Sequence, residues 1–118
     1  MTTPLATFDR FDVVVVPFPF TDKAAVKRRP ALVLSESGTF NQRAGHSVMA
    51  MITSAMENGW PHDVVLTDLK SAGLSVPCVV RFKLFTMDNR LVLRKAGKLA
   101  KPDEDAVDHA MRAVLGLK

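Results

Sequence analysis

Residues 11–20 (F-D-V-V-V-V-P-F-P-F) form a β-branched, apolar run that predicts a buried strand. Pro17 and Pro19 confine its second half to a sheet edge or a strand exit, because proline cannot donate to a ladder. Residues 21–29 are polar and basic and predict a loop. Two more apolar runs, residues 30–35 (P-A-L-V-L-S) and 47–53 (S-V-M-A-M-I-T), predict the second and third strands. Residues 36–45 between them have turn composition. Short strands are expected at 63–66 and 75–81, split by a polar turn at 68–73. Residues 84–91 carry no clean period, and a short helical turn is expected near Asp88 and Asn89. The helix signal is plainest at the end. Pro102 suits a first helical position, and Asp103, Glu104 and Asp105 complement the positive end of the helix dipole. Val107, Met111, Val114 and Leu115, with Ala106 and Ala110, make one apolar stripe before Gly116 ends it. Residues 1–9 show no period and read as a loose leader. The pattern therefore gives five or six short strands followed by a C-terminal helix.

Composition narrows the class. A chain of 118 residues is one domain's worth, and such a domain buries roughly 65% of the surface its unfolded chain exposes. Apolar residues at 47% and charged residues at 24% exclude a disordered chain. The longest apolar run is interrupted by two prolines, so no membrane span is expected. The N-terminus lacks the charge and apolar length of a signal peptide, which points to a cytoplasmic protein with no membrane association. The single cysteine, Cys78, excludes an internal disulfide and a thiolate metal cage, and its apolar neighbours mark it as a small buried hydrophobe.

Charge is unevenly placed. The net charge is +4. Lys23, Lys27, Arg28 and Arg29 stand together without an acid, and residues 81–101 hold seven Lys and Arg against Asp88 alone. Such blocks favour an anionic partner, RNA or an acidic protein segment, although a solvated basic face explains charge alone equally well.

Several chemistries are missing. No Gly-rich loop precedes a Lys-Ser/Thr pair, so P-loop phosphate binding is excluded. His46, His62 and His109 lack metal-ligand spacing, and no serine sits in a nucleophile elbow. What remains are polar residues beside strand ends. Arg29 precedes Pro30, which biases its backbone to an extended geometry. A guanidinium fixed there can bond a phosphate through two N–H groups, or else cap a strand edge. Thr53 and Ser54 close the third strand, where hydroxyls can donate to a phosphate oxygen or serve ordinary turn chemistry. Phe20 and Trp60 are candidates to stack unpaired bases, against core or hinge roles.

Taken together, these stretches resemble the MazF/PemK toxin family. Residues 11–22 (F-D-V-V-V-V-P-F-P-F-T-D) look like its first strand, with Phe11 where glycine is usual, a change tolerated at a strand start. Residues 27–35 (K-R-R-P-A-L-V-L-S) are similar to its second strand, and I-T-S at 52–54 to the exit of its third. Residues 72–88 (A-G-L-S-V-P-C-V-V-R-F-K-L-F-T-M-D) and G-K-L at 97–99 match its later strands. The resemblance covers roughly residues 8–116. It implies an SH3-like β-barrel of the MazF/PemK (CcdB-like) type over residues 10–101, with a basic first loop and a helix at 102–116. It also implies a homodimer blocked by a cognate antitoxin. The implied activity is toxin cleavage of single-stranded RNA at a short sequence without metal or cofactor, leaving a 2′,3′-cyclic phosphate and a 5′-hydroxyl. Arg29 matches the family's catalytic arginine and Thr53 the hydroxyl that works with it, with Ser54 beside them. Phe20, Thr21, Lys23, Lys27, Arg28, Trp60, Arg81 and Lys83 are expected to bind RNA. Some members place an acid two residues after the arginine matching Arg81, where this chain has Lys83. That departure keeps a catalytically silent RNA- or antitoxin-binding protein as the rival reading. A gyrase poison is disfavoured, since the chain ends without a C-terminal tryptophan.

Overall fold

The computed structural model describes residues 7–18, 27–55 and 59–118. Six strands form a single antiparallel sheet among these residues: β1 (Asp12–Phe18), β2 (Lys27–Val33), β3 (His46–Ser54), β4 (Val64–Val65), β5 (Cys78–Asp88) and β6 (Arg94–Lys98). Their order is β4-β5-β3-β2-β1-β6, and the sheet curls into a half-barrel. Two short helices, α1 (Gln42–Ala44) and α2 (Leu69–Ala72), and the long α3 (Lys101–Leu115) complete the fold. The expected class, mainly β with a C-terminal helix, is the one observed.

Both faces of the sheet are covered, which is why the strands read as unbroken apolar runs rather than alternating ones. On one face Val13, Leu32, Ala50, Ile52, Val80 and Phe82 pack with Val107 and Ala110 of α3. On the other, Val14, Val16, Ala31, Val33, Met49 and Met87 form a second cluster against Phe8, Phe85 and Val92.

The prolines sit where ladder chemistry allows. β6 pairs with β1 only from Asp12 to Val15, so Pro17 lies past the end of that ladder. Pro30 pairs with Val15 on one side, while the β2–β3 ladder begins at Ala31. Two glycines let α2 lie directly on β6. A Cβ at Gly97 would meet the backbone of Ser71 and Ala72. Gly73, at φ +73°, ends α2 in the left-handed region and has no room for a side chain against Ala96.

Four expectations change. Residues 37–44 are not a plain turn but a π-helical turn (Ser37–Asn41) running into α1. β5 continues through Leu84 to Asp88, so only Asn89–Leu91 is a helical turn. The longer strand contains a two-residue bulge, because Ala50 pairs with Leu84 while Met51 pairs with Arg81. On α3 the inner part of the stripe, Val107 and Ala110, is buried, whereas Val114 and Leu115 are exposed. Phe11 is also costlier than a tolerated change. Its φ of +73° lies in the left-handed region, at a penalty of roughly 1–2 kcal/mol for an L-residue. Contact with the core and the Arg10 guanidinium 4.6 Å above its ring oppose that strain.

Asp103 does more than complement a dipole. It is buried and accepts hydrogen bonds from the Thr67 N–H (3.0 Å), the Thr67 hydroxyl (2.7 Å) and the Asp68 N–H (3.0 Å). This carboxylate ties the start of α3 to the turn that leads into α2.

Candidate active site

Arg29 and Thr53 face one another by strand register. The β2–β3 ladder pairs Val33 with Met49, Leu32 with Ala50 and Ala31 with Met51. Carried two residues further, the same register sets Arg29 opposite Thr53, just past the last ladder pair. Strand alternation puts both on the face that holds Ala31 and Met51. Arg81 pairs with Met51 across β3–β5 and so shares that face, diagonal to Thr53. Ser54, one residue on, points to the opposite face.

Two cavities meet at this pair. The larger, about 550 Å³, is lined by Lys27, Arg28, Arg29, Thr53, Ser54 and Arg94, with apolar walls that include Val15, Pro30, Ile52 and Cys78. The smaller, about 260 Å³, is lined by Phe18, Arg29, Met51, Thr53, Arg81 and Lys83. Arg29 and Thr53 belong to both. No acid stands in the described lining of either cavity, so each offers a cationic surface to an anion.

The two site arginines differ in how they are held. Arg81 is mostly buried and paired with Asp63 by two bonds, from Nε to Oδ1 (3.2 Å) and from Nη2 to Oδ2 (2.9 Å). These bonds to Arg81 hold the Asp63 carboxyl below the usual carboxylate range, helped by the Trp60 N–H and opposed by burial. Arg29 lies with its guanidinium carbon 5.8 Å from the centre of the Phe18 ring. Its Nε is shut off from solvent and has no hydrogen-bond partner among the described residues. A buried donor without a described partner is uncommon. Arg10 Nε is the other such atom, but that guanidinium already bonds Asp108 through Nη2 at 2.7 Å.

Of the expected RNA-binding residues, Lys27, Arg28, Arg81 and Lys83 line the cavities. Trp60 is half-exposed, and Lys83 Nζ stands 4.8 Å from the centre of its ring. Phe20, Thr21 and Lys23 lie outside the described residues. His46 begins β3, at the far end of that strand from Thr53, and neither it nor His62 is among the described residues that line these two cavities. Cys78 is buried, as its neighbours suggested, with its thiol donating to the Val76 carbonyl and pushed up by burial.

Asp63, Phe18 and Arg94 were not singled out by sequence. Phe18 was within reach, since it follows Val14 and Val16 at strand period on the face that Arg29 shares. Asp63 had no such signal, because its partner is 18 residues away across a loop.

The family model for the PemK-like, MazF-like toxins of type II toxin–antitoxin systems matches residues 9–115. The chain belongs to this family. Solved MazF structures share its fold. A MazE–MazF complex from Deinococcus radiodurans superposes with a TM-score of 0.76 at 24% identity, covering 96% of this chain and 100% of that one. An endoribonuclease in complex with its cognate antitoxin, from a mycobacterial species, gives 0.72 at 15% identity over 95% and 96% of the two chains. The Mycobacterium tuberculosis toxin MazF-mt6 gives 0.71 at 21% identity over 91% and 98%. No curated protein matches the chain significantly. Among the described residues, no helix of this MazF/PemK member is long and apolar enough to cross a membrane.

Proposed function

We propose that the protein is the toxin of a type II toxin–antitoxin pair and an endoribonuclease that cuts single-stranded RNA. The observation that carries this reading is the placement of Arg29 opposite Thr53, on the wall shared by two cationic cavities with no acid among their described lining residues. A scissile phosphate bound between these side chains would lie where the two cavities meet.

RNA supplies its own nucleophile in the 2′-hydroxyl. That oxygen attacks the adjacent phosphorus as the bond to the 5′-oxygen breaks. The 2′-hydroxyl gives up a proton and the departing 5′-oxygen gains one, leaving a 2′,3′-cyclic phosphate and a 5′-hydroxyl. Negative charge builds on the non-bridging oxygens at the five-coordinate stage. Arg29 meets that charge with the guanidinium that lines both cavities, and the Thr53 hydroxyl donates to a second phosphate oxygen. Ser54 contributes to the larger cavity rather than to the Thr53 face. Lys27, Arg28, Arg81 and Lys83 hold flanking phosphates, and Trp60 offers a ring for a base to stack on. We also assign Phe20, Thr21 and Lys23 to RNA binding by their match to the family's first loop. An acidic antitoxin segment suits the same cationic cavities, and the toxin acts as a homodimer in the cytoplasm.

Lys83 in place of an acid favours the second reading, a silent member that binds RNA or antitoxin without cutting. Incubation of a long single-stranded RNA with purified protein in EDTA, beside Arg29→Ala, separates the two. Discrete fragments with 5′-hydroxyl ends, missing from the variant, are expected. Intact RNA from folded protein would transfer the assignment to the silent binder.

A further inference from the structure

The turn at residues 60–63 places a carboxylate behind the site, against Arg81. The Asp63 N–H donates to the Trp60 carbonyl at 3.1 Å, and the Trp60 N–H donates back to Asp63 Oδ2 at 3.0 Å. Pro61 and His62 sit between them, with His62 at φ +63°. Proline followed by a positive φ is the pattern of a type II turn, in which glycine or asparagine normally takes the second place. A histidine there costs roughly 1–2 kcal/mol, and the reciprocal bonds of Trp60 and Asp63 hold the turn against that strain.

What the turn delivers is the Asp63–Arg81 pair. Arg81 lies on the Thr53 face and lines the smaller cavity, and its Nε and Nη2 are both engaged by the carboxylate. The two side chains retain only 11% and 17% exposure, for Arg81 and Asp63 respectively. A guanidinium gripped at two nitrogens is fixed in plane and direction, so it orders a phosphate at a smaller entropy cost than a free one. Asp63 itself lines neither cavity, and its two oxygens already accept three N–H bonds. Its position suits holding another group, not taking a proton from substrate. Lys83, meanwhile, is turned to the Trp60 ring and offers Arg81 no carboxylate.

We propose that Asp63 is a positioning residue of the RNA site, acting through Arg81 as the carboxylate partner that the Lys83 position does not supply. The inference rests on the endoribonuclease reading. Asp63 fixes Arg81 beside Arg29 and Thr53, so that the substrate phosphate is met in one geometry, and it ties the Trp60 stacking platform to the same point.

The test is single-turnover cleavage of RNA by wild type, D63N, R81Q and the double variant, with folding checked by circular dichroism. Displacing a positioned group by about 1 Å costs on the order of 10²-fold in rate, so D63N is expected to lose about 10- to 100-fold in kcat. Affinity for an oligonucleotide made uncleavable by a 2′-deoxy substitution should change less than kcat does. In the R81Q background the D63N change should cost almost nothing, because its target is gone. D63E, which keeps the charge one methylene further out, should recover part of the loss and serves in the same cycle if D63N does not fold. Between about pH 5 and 9, D63N should keep the shape of the wild-type pH–rate profile. Wild-type kcat in D63N, or penalties that simply add, would overturn the positioning role and leave the endoribonuclease reading standing. Loss of a profile limb in D63N would make Asp63 a proton carrier, which also overturns it. A wild type that neither cuts nor binds RNA would remove the underlying reading, and this role with it.

Discussion

The two ends of the β3–β5 ladder treat polar side chains in opposite ways. At the end that holds His46 and Asp88, Asn41 is fully buried, and its Nδ2 donates to the Phe8 carbonyl (2.7 Å) and the Ser35 carbonyl (2.9 Å). Its Oδ1 accepts from the Ser35 hydroxyl, and its own carbonyl accepts from Asn89 Nδ2 at 3.1 Å. Asn89 Oδ1 accepts in turn from the buried Ser47 hydroxyl at 2.6 Å. Each of these side chains is satisfied within the protein. At the other end Arg29 lines a cavity beside Thr53 and the clamped Arg81, and its shielded Nε has no partner among the described residues. Buried polar groups that satisfy one another specify a fold, whereas cations that line a cavity can serve a ligand.

Substitutions at the two ends should therefore separate stability from activity. Arg29→Ala removes the guanidinium that lines both cavities and is expected to lower cleavage by on the order of 10²- to 10³-fold, as loss of one transition-state donor does. Its thermal midpoint should barely move, since no described hydrogen bond is lost from Nε. Asn41→Ala should do the reverse. It strands buried groups and should cost about 2–3 kcal/mol in urea unfolding, while the protein that remains folded cuts at the wild-type rate. Equal effects of both variants on both readouts would erase the distinction.

Acid titration sharpens the comparison at the Asp63–Arg81 pair. Asp63 is held below the usual carboxylate range in the folded protein, first by its bond from Arg81. A depressed folded pKa means that the pair's stabilisation is complete above the unfolded value, near pH 4. It is lost as pH falls through the lower, folded value. D63N should therefore flatten the stability–pH curve in that acid window and leave its slope at neutral pH unchanged. The smallest effect is expected at the rim. Lys83→Gln should lower the slope of log Kd for RNA against log salt by about 0.7, the value for one phosphate contact on a single strand.

Much of this fold could be read from its apolar runs. Both faces of the sheet are buried, so residues 13–16, 31–34 and 48–52 announce themselves as strands without ambiguity. The C-terminal helix was equally plain, because proline, acids, stripe and glycine agree on its ends. The apolar pattern of β5 stops at Arg81 because the two-residue bulge shifts the pairing, and Leu84 and Thr86 beyond it are exposed. Residues 36–45 read as a turn because their order comes from Asn41, whose bonds reach Phe8 and Asn89 and leave no local pattern. The site divided in the same way. Arg29 and Thr53 end conspicuous strands and match family motifs, and the register explains why those two positions belong together. Asp63 could not be found, since its role depends on a strained turn that brings it to Arg81 across the sheet.

The most direct test of the central claim uses one short RNA containing a single cleavage position, with ribose or 2′-deoxyribose at that nucleotide alone. Cleavage of the all-ribose strand, and retained binding without cleavage of the substituted one, is the expected result. It would show that the substrate's own hydroxyl is the nucleophile, the premise of the role given to Arg29 and Thr53. Cleavage of both strands at the same rate would contradict the account, because the nucleophile would then have to come from elsewhere.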